Sequence, residues 1–293
     1  MSHPFWQHKT RIFLAALIAL LFPGALQAAP TTYSASLGFE YATGKYGTGI
    51  RTDSVYAPVT LSVFPSDRLD FSVEVPYVYQ STSSVVAREF MGMRQATTTG
   101  TTTAAAAMTG PGAGMGTGPG PRTNASAANA DSAESGLGDV ILRAGYILFQ
   151  EGDLLPSVRP NFALKLPTAD ENKFLGTGAF DESFGLELAK WFGEWLTDVE
   201  GGYTFQGHSS VTDVKDYFYY TAGVGYQLTD RLRPMLILKG STPPVEGAVG
   251  KLETRLRLKW QFAEHAGLDG YLAKGLTDSS PDYGTGLAVY YDF

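Results

Sequence analysis

The sequence predicts an all-β transmembrane protein: an antiparallel up-and-down β-barrel of about 12 strands, with short periplasmic turns and long extracellular loops. Three observations carry this. Apolar residues recur at every second position through segment after segment, the connections between segments alternate strictly between short and long, and the chain opens with an export signal.

The export signal comes first. Lys9 and Arg11 precede the uncharged run IFLAALIALLF, which stops at Pro23-Gly24 and is followed by ALQAA. Eleven apolar residues are too few to cross a bilayer as a helix, which needs about 20, and the small residues Ala28 and Ala29 offer a cleavage site. Residues 1–28 therefore read as a signal peptide and 29–293 as the barrel domain.

The strands then follow in order, each an apolar set on one parity. The first carries Tyr33, Ala35, Leu37, Phe39 and Tyr41, the second Val55, Ala57, Val59, Leu61 and Val63, and the third Leu69, Phe71, Val73, Val75, Tyr77 and Tyr79. Much later come Leu142, Ala144, Tyr146 and Leu148, then Val158, Phe162, Leu164 and Leu166, then Phe184, Leu186 and Leu188. Val199, Tyr203 and Phe205 mark the seventh, and Phe218, Tyr220, Ala222, Val224, Tyr226 and Leu228 the eighth. Leu232, Leu236 and Leu238 mark the ninth. The tenth, KLETRLRLKWQF, sets Leu252, Leu256, Leu258, Trp260 and Phe262 against Lys251, Glu253, Arg255, Arg257 and Lys259. Leu268 and Leu272 mark the eleventh, and Leu287, Val289, Tyr291 and Phe293 the last.

Short turns join these at 65–68, 150–154, 193–195, 229–231 and 263–267; long connections fill 43–53, 81–136, 167–182, 207–216, 241–249 and 276–282. In a closed meander every second connection lies at the same end, so the short turns share one rim and the long loops the other. Closure is required because an unpaired sheet edge in hydrocarbon costs several kcal/mol per backbone group. A soluble β-sandwich has the same alternation, but its strands are typically about 5–6 residues, shorter than several here. Trp191, Phe192, Trp195, Trp260, Phe262, Phe149 and Phe64 beside the short turns are expected to form an interfacial aromatic girdle.

Composition bounds the chemistry. With no cysteine there is neither a disulfide framework nor a thiolate metal site, and a net charge of −7 offers no basic stripe for a nucleic-acid partner. No cofactor or metal is expected. The expected surroundings are outer-membrane lipid on the apolar face and a small-molecule solute within.

Residues 81–135 centre on TTTGTTTAAAAMTGPGAGMGTGPGPR, a low-complexity stretch that cannot bury a core. It reads as an extracellular loop. Its glycines do not meet the dinucleotide spacing and lead into no helix.

Inside such a barrel the second parity faces the lumen. The expected lining is Arg143, Arg159 and Lys165 from the fourth and fifth strands, Glu187, Asp198 and Glu200 from the sixth and seventh, and Arg233, Lys239, Lys251, Glu253, Arg255, Arg257 and Lys259 from the ninth and tenth. Opposite charges on facing strands attract a permeant ion, or else neutralise one another and fill the bore; twelve strands is an ambiguous size between the two. Pro58 and Pro76 sit near one another on adjacent strands, and each lacks an N–H. They suggest a locally open ladder, a lateral seam for apolar solutes, with a rim bulge as the alternative.

Catalysis has one candidate, His208-Ser209-Ser210, similar to the His-x-Ser pair of twelve-stranded outer-membrane phospholipases. Strand parity turns His208 and Ser210 away from lipid, and no asparagine follows Asn172 to orient the histidine. No enzyme activity is expected.

The last strand, GTGLAVYYDF, places Leu287, Val289, Tyr291 and Phe293 at alternate positions up to the final residue. It resembles the C-terminal insertion signature of bacterial outer-membrane barrels, which implies a contact with the barrel-assembly machinery.

SGLGDVILRAGYIL (135–148), PNFALKLPTADENKFLGTGAFDESFGLELAKWF (160–192), GGYTFQG (201–207) and the upstream VEVPYVYQS resemble the outer-membrane family associated with the meta-cleavage pathway of phenol degradation. The features concerned are G-L-G-D opening a strand, K-L-P-T ending the next, and L-G-T-G in the loop beyond. The chain departs from the family at Pro167-Thr168-Ala169, where P-T-G is frequent, and in its low-complexity insert. The resemblance implies an outer-membrane channel or transporter for small solutes, aromatic or hydrophobic compounds being candidates, and brings no catalytic residues. A structural or adhesive surface barrel is the alternative, with an outer-membrane lipid hydrolase behind it.

Overall fold

The computed structural model describes residues 31–47, 49–81, 133–209, 214–244 and 248–293, and the backbone of 85–86 and 120–121. The signal peptide expected at 1–28 and most of the loop at 81–135 lie outside the described residues; within that loop Val85–Val86 pairs with Gly120–Pro121.

Twelve antiparallel strands form the barrel: β1 (Thr32–Gly44), β2 (Thr52–Phe64), β3 (Leu69–Gln80), β4 in two segments (Glu134–Leu137 and Val140–Tyr146), β5 (Ser157–Leu166), β6 (Asp181–Phe192), β7 (Trp195–Gln206), β8 (Tyr217–Tyr226), β9 (Leu232–Ser241), β10 (Lys251–Trp260), β11 (Ala266–Gly275) and β12 (Tyr283–Asp292). Each pairs with its chain neighbours, and β1 pairs with β12, so the sheet has no free edge. Tyr33 and Phe293 close it by exchanging both backbone hydrogen bonds at 2.9 Å, and their rings stack at 5.9 Å. That closure satisfies the backbone without water, which is what lets a sheet stand in hydrocarbon.

Burial is inverted relative to a soluble domain. Leu37, Leu61, Leu256 and Leu272 are each 57–64% exposed, whereas Glu40, Glu74, Arg159 and Glu187 are at most 2% exposed. An apolar surface this continuous on the outer parity of every strand is a lipid-facing wall. The fold is that of an outer-membrane β-barrel.

At the short-turn rim Phe149, Phe192, Trp195, Trp260 and Phe262 project outward, with Trp195 packed on Tyr226 and Trp260 on Phe262. Trp191 and Phe64 do not join this girdle. Both fall on the inner parity of their strands, and Trp191 packs inside against Ala189, Leu196, Met235 and Ile237.

The lateral seam expected at Pro58 and Pro76 is corrected by the ladder itself. The two prolines are direct cross-strand partners, but β2 and β3 pair without interruption from Ser54–Gln80 to Val63–Phe71. The Pro76 carbonyl accepts from the Gly138 N–H at 2.9 Å, so the backbone polar groups of Pro76 face β4, not β2. Residues opposed in this way bond outward, to their other neighbours, and the missing N–H of Pro58 accordingly falls on the β1 side, where pairing skips from Leu37–Val59 to Glu40–Tyr56. Both proline rings point into the barrel and are buried.

The irregularity sits one strand further on. β3 advances three residues between Glu74–Ile141 and Tyr77–Leu137 while β4 advances four, which is a one-residue bulge at Gly138-Asp139. Only Gly fits there, because a Cβ at 138 would lie 2.8 Å from Val78 and 2.9 Å from Pro76.

Candidate functional site

Every lumen-lining residue named from the sequence lies on the inner parity, and the structure adds the partners that hold each one. On β3, Glu74 accepts from the Tyr56 hydroxyl at 2.6 Å and takes both Nη atoms of Arg143, at 3.2 and 3.3 Å. Arg159 reaches Asp70 at 2.7 Å and Glu187 at 3.1 Å and lies flat over Gly145, where a Cβ would stand 1.8 Å from its Nη2. On the same wall Asn161 donates to Glu200 at 3.0 Å, and Asp198 is the next inner residue of β7.

The opposite wall is the basic one. Arg255 donates to Glu253 at 2.6 Å and stacks over the Tyr271 ring at 4.2 Å, and the Tyr271 hydroxyl donates to Glu40 at 2.8 Å. Arg257 forks onto Asp269, with Nε 2.8 Å from Oδ1. Lys239 faces Glu253 across β9 and β10, Lys259 approaches the Tyr290 ring at 5.8 Å, and Lys251 is buried at the outer end. Four of the five lumenal arginines among the described residues are thus paired with carboxylates. The fifth, Arg233, stacks over Trp191 at 5.0 Å and donates Nε to Gln227 at 2.6 Å.

Sequence reasoning named Glu187 and Glu253 but missed the other carboxylates that hold this wall: Glu40, Asp70, Glu74 and Asp269. The signal was present, because each lies on the parity opposite the apolar set of its own strand.

A second feature lies at the outer mouth. The connection at 167–180 does not stand clear of the barrel but folds into it. Leu175, 2% exposed, packs against Ala42, Tyr56 and Val78 on the inner faces of β1, β2 and β3. The bulge on β4 turns the Asp139 side chain inward, where it accepts from the Ala169 N–H at 3.0 Å and pairs with Lys165 at 3.3 Å. Lys165 also binds Asp181 at 2.8 Å and donates to the Thr177 hydroxyl at 2.7 Å. Thr168 caps the interrupted ladder: its hydroxyl accepts from the Val140 N–H at 2.8 Å and donates to the Gly138 carbonyl at 3.2 Å.

Gly178 turns the loop with φ +68°, a conformation that favours glycine, and a Cβ there would strike Glu171 at 1.8 Å. The three stretches singled out in the sequence, G-L-G-D, K-L-P-T and L-G-T-G, therefore converge on one joint that docks this loop inside the lumen. On the connection between β1 and β2, Tyr46 is fully buried, and burial pushes its phenol up from the ordinary range. His208 is exposed near the same rim, and Ser210, its partner in the hydrolase reading, lies outside the described residues.

Comparison with known proteins agrees with this architecture. The family described as "Putative MetA-pathway of phenol degradation" matches residues 90–293. An outer-membrane channel from Pseudomonas putida F1 has a similar structure, with a TM-score of 0.62 at 14% identity over 92% of this chain and 99% of that one. A KdgM porin aligns with a TM-score of 0.50 at 8% identity, over 88% of this chain and 99% of the porin. No curated protein matches the chain by sequence.

Proposed function

This chain belongs to the MetA-pathway phenol-degradation family, and from that premise we propose that it is an outer-membrane channel for the passive passage of small solutes, with aromatic or hydrophobic compounds as its preferred class. One observation carries the reading: a lipid-facing cylinder carries acidic, basic and hydroxylic side chains along the inner parity of its strands, interrupted by a few apolar patches. Holding charges at membrane depth is costly, and such groups point by default to a solute path. Cross-paired acids and bases leave the wall nearly neutral, which suits weak selectivity.

The infolded loop at 167–180 narrows the outer end of this path. A structural or adhesive barrel is the second reading, favoured by the low exposure of the lumenal ions in the described state. The C-terminal strand sets Leu287, Val289, Tyr291 and Phe293 on the lipid face, 47–63% exposed, and we assign to it the contact with the barrel-assembly machinery.

Solute flux separates the readings. Proteoliposomes carrying the folded barrel should swell in isosmotic glycerol or sodium benzoate faster than protein-free vesicles. Equal rates, also for a variant lacking 170–179, would rule out a channel.

A further inference from the structure

We propose that Arg233 and Trp191 form a binding site for a small aromatic carboxylate at the periplasmic end of the lumen; this specifies a solute class for the channel function and rests on that reading. Arg233 is the one lumenal arginine that forms no ion pair among the described residues. Its Nη1 is buried without a hydrogen-bond partner, and so is the Nε1 of Trp191, beneath the guanidinium. Arg233 itself is only 7% exposed. Two N–H donors, one of them charged, therefore lie together inside the barrel with their acceptors unassigned, a costly state that a carboxylate relieves.

The surroundings select what accompanies that carboxylate. Trp191 packs on Ala189, Leu196, Met235 and Ile237, an apolar patch at the short-turn end of the inner wall. Room for it comes from β8, where Gly223 and Gly225 face Met235 and Ile237; a Cβ at 225 would stand 2.8 Å from Met235. A flat hydrocarbon body suits Trp191, the one member of this patch that is only partly buried, with the anionic head on Arg233. An acetate would satisfy the donors without touching the indole, and a neutral arene would do the reverse.

Placement supports the same ligand. Arg233 is the second residue of β9, just after the 227–231 turn, and faces Lys259, while Met235 faces Arg257, so an anion descending the basic wall meets this pair last. A weak site at the exit concentrates solute there without trapping it.

Calorimetry on the detergent-solubilised mature barrel, with sodium benzoate, sodium acetate and benzyl alcohol as probes, tests the assignment. Benzoate should bind roughly tenfold more tightly than either of the others, and Arg233→Gln should weaken it by roughly tenfold. Arg233→Lys keeps the charge but not the planar fork and should fall between, which preserves the test if Arg233→Gln does not fold. Trp191→Leu should also weaken benzoate. Unchanged benzoate binding in the Arg233 variants, acetate as tight as benzoate, or no benzoate binding at all would overturn the site. Swelling of vesicles carrying the same protein distinguishes the two failures: flux without benzoate binding removes the site and leaves the channel, and binding without flux does the opposite.

Discussion

Arg159 shows how the lumen is held at the level of single residues. Its guanidinium is 1% exposed and divides its donors between Asp70 and Glu187, so each strand it touches depends on one side chain. Removing one member of such a buried set leaves uncompensated charge, and Arg159→Met should destabilise the barrel by about 3–5 kcal/mol in urea unfolding followed by tryptophan fluorescence. Glycine supports the same packing from the other side: Tyr219 lies across Gly202 and Gly185, where a Cβ would stand 2.2 and 2.4 Å from its hydroxyl. Gly202→Val should therefore cost about 1–3 kcal/mol by overpacking, read in the same assay. The direction of each side chain was legible in the sequence, because a period of two leaves only two choices, and the same rule supplies Glu40, Asp70, Glu74 and Asp269. Which charges meet was not legible, since Arg159 finds Asp70 across two strand boundaries and only the register fixes that distance.

At the scale of elements, the connection at 167–180 departs most from what its sequence suggests. A polar loop of that length reads as extracellular, yet Leu175 is anchored in a pocket that Ala42, Tyr56 and Val78 create jointly, and no local pattern reveals a pocket assembled from three distant strands. The bulge is the other half of this joint, turning Asp139 from lipid toward Lys165. Leu175→Asp should release the loop and raise single-channel conductance, whereas the same substitution at the exposed Val249 should leave it unchanged. The prolines teach the converse: Pro58 and Pro76 signalled broken pairing, and their proximity was legible, but the side on which each missing N–H falls depends on hydrogen-bond phase, which the sequence does not state.

Over the whole molecule, alternation and loop rhythm sufficed for the closed twelve-strand cylinder, because a membrane sheet has no other way to satisfy its edges. Leu256, 58% exposed near the middle of β10, faces the bilayer in that cylinder, and Leu256→Arg should cost about 2–4 kcal/mol in barrel stability measured in lipid vesicles. The C-terminal assignment predicts that deleting Phe293 lowers the amount of folded barrel in outer membranes while leaving refolding into detergent largely intact, as judged by heat-modifiable migration. Transport is the claim on which the rest converges, and recording from planar bilayers tests it most directly. Discrete single-channel steps are expected, small in the wild-type barrel and larger once residues 170–179 are deleted; an electrically silent bilayer with both proteins would refute transport.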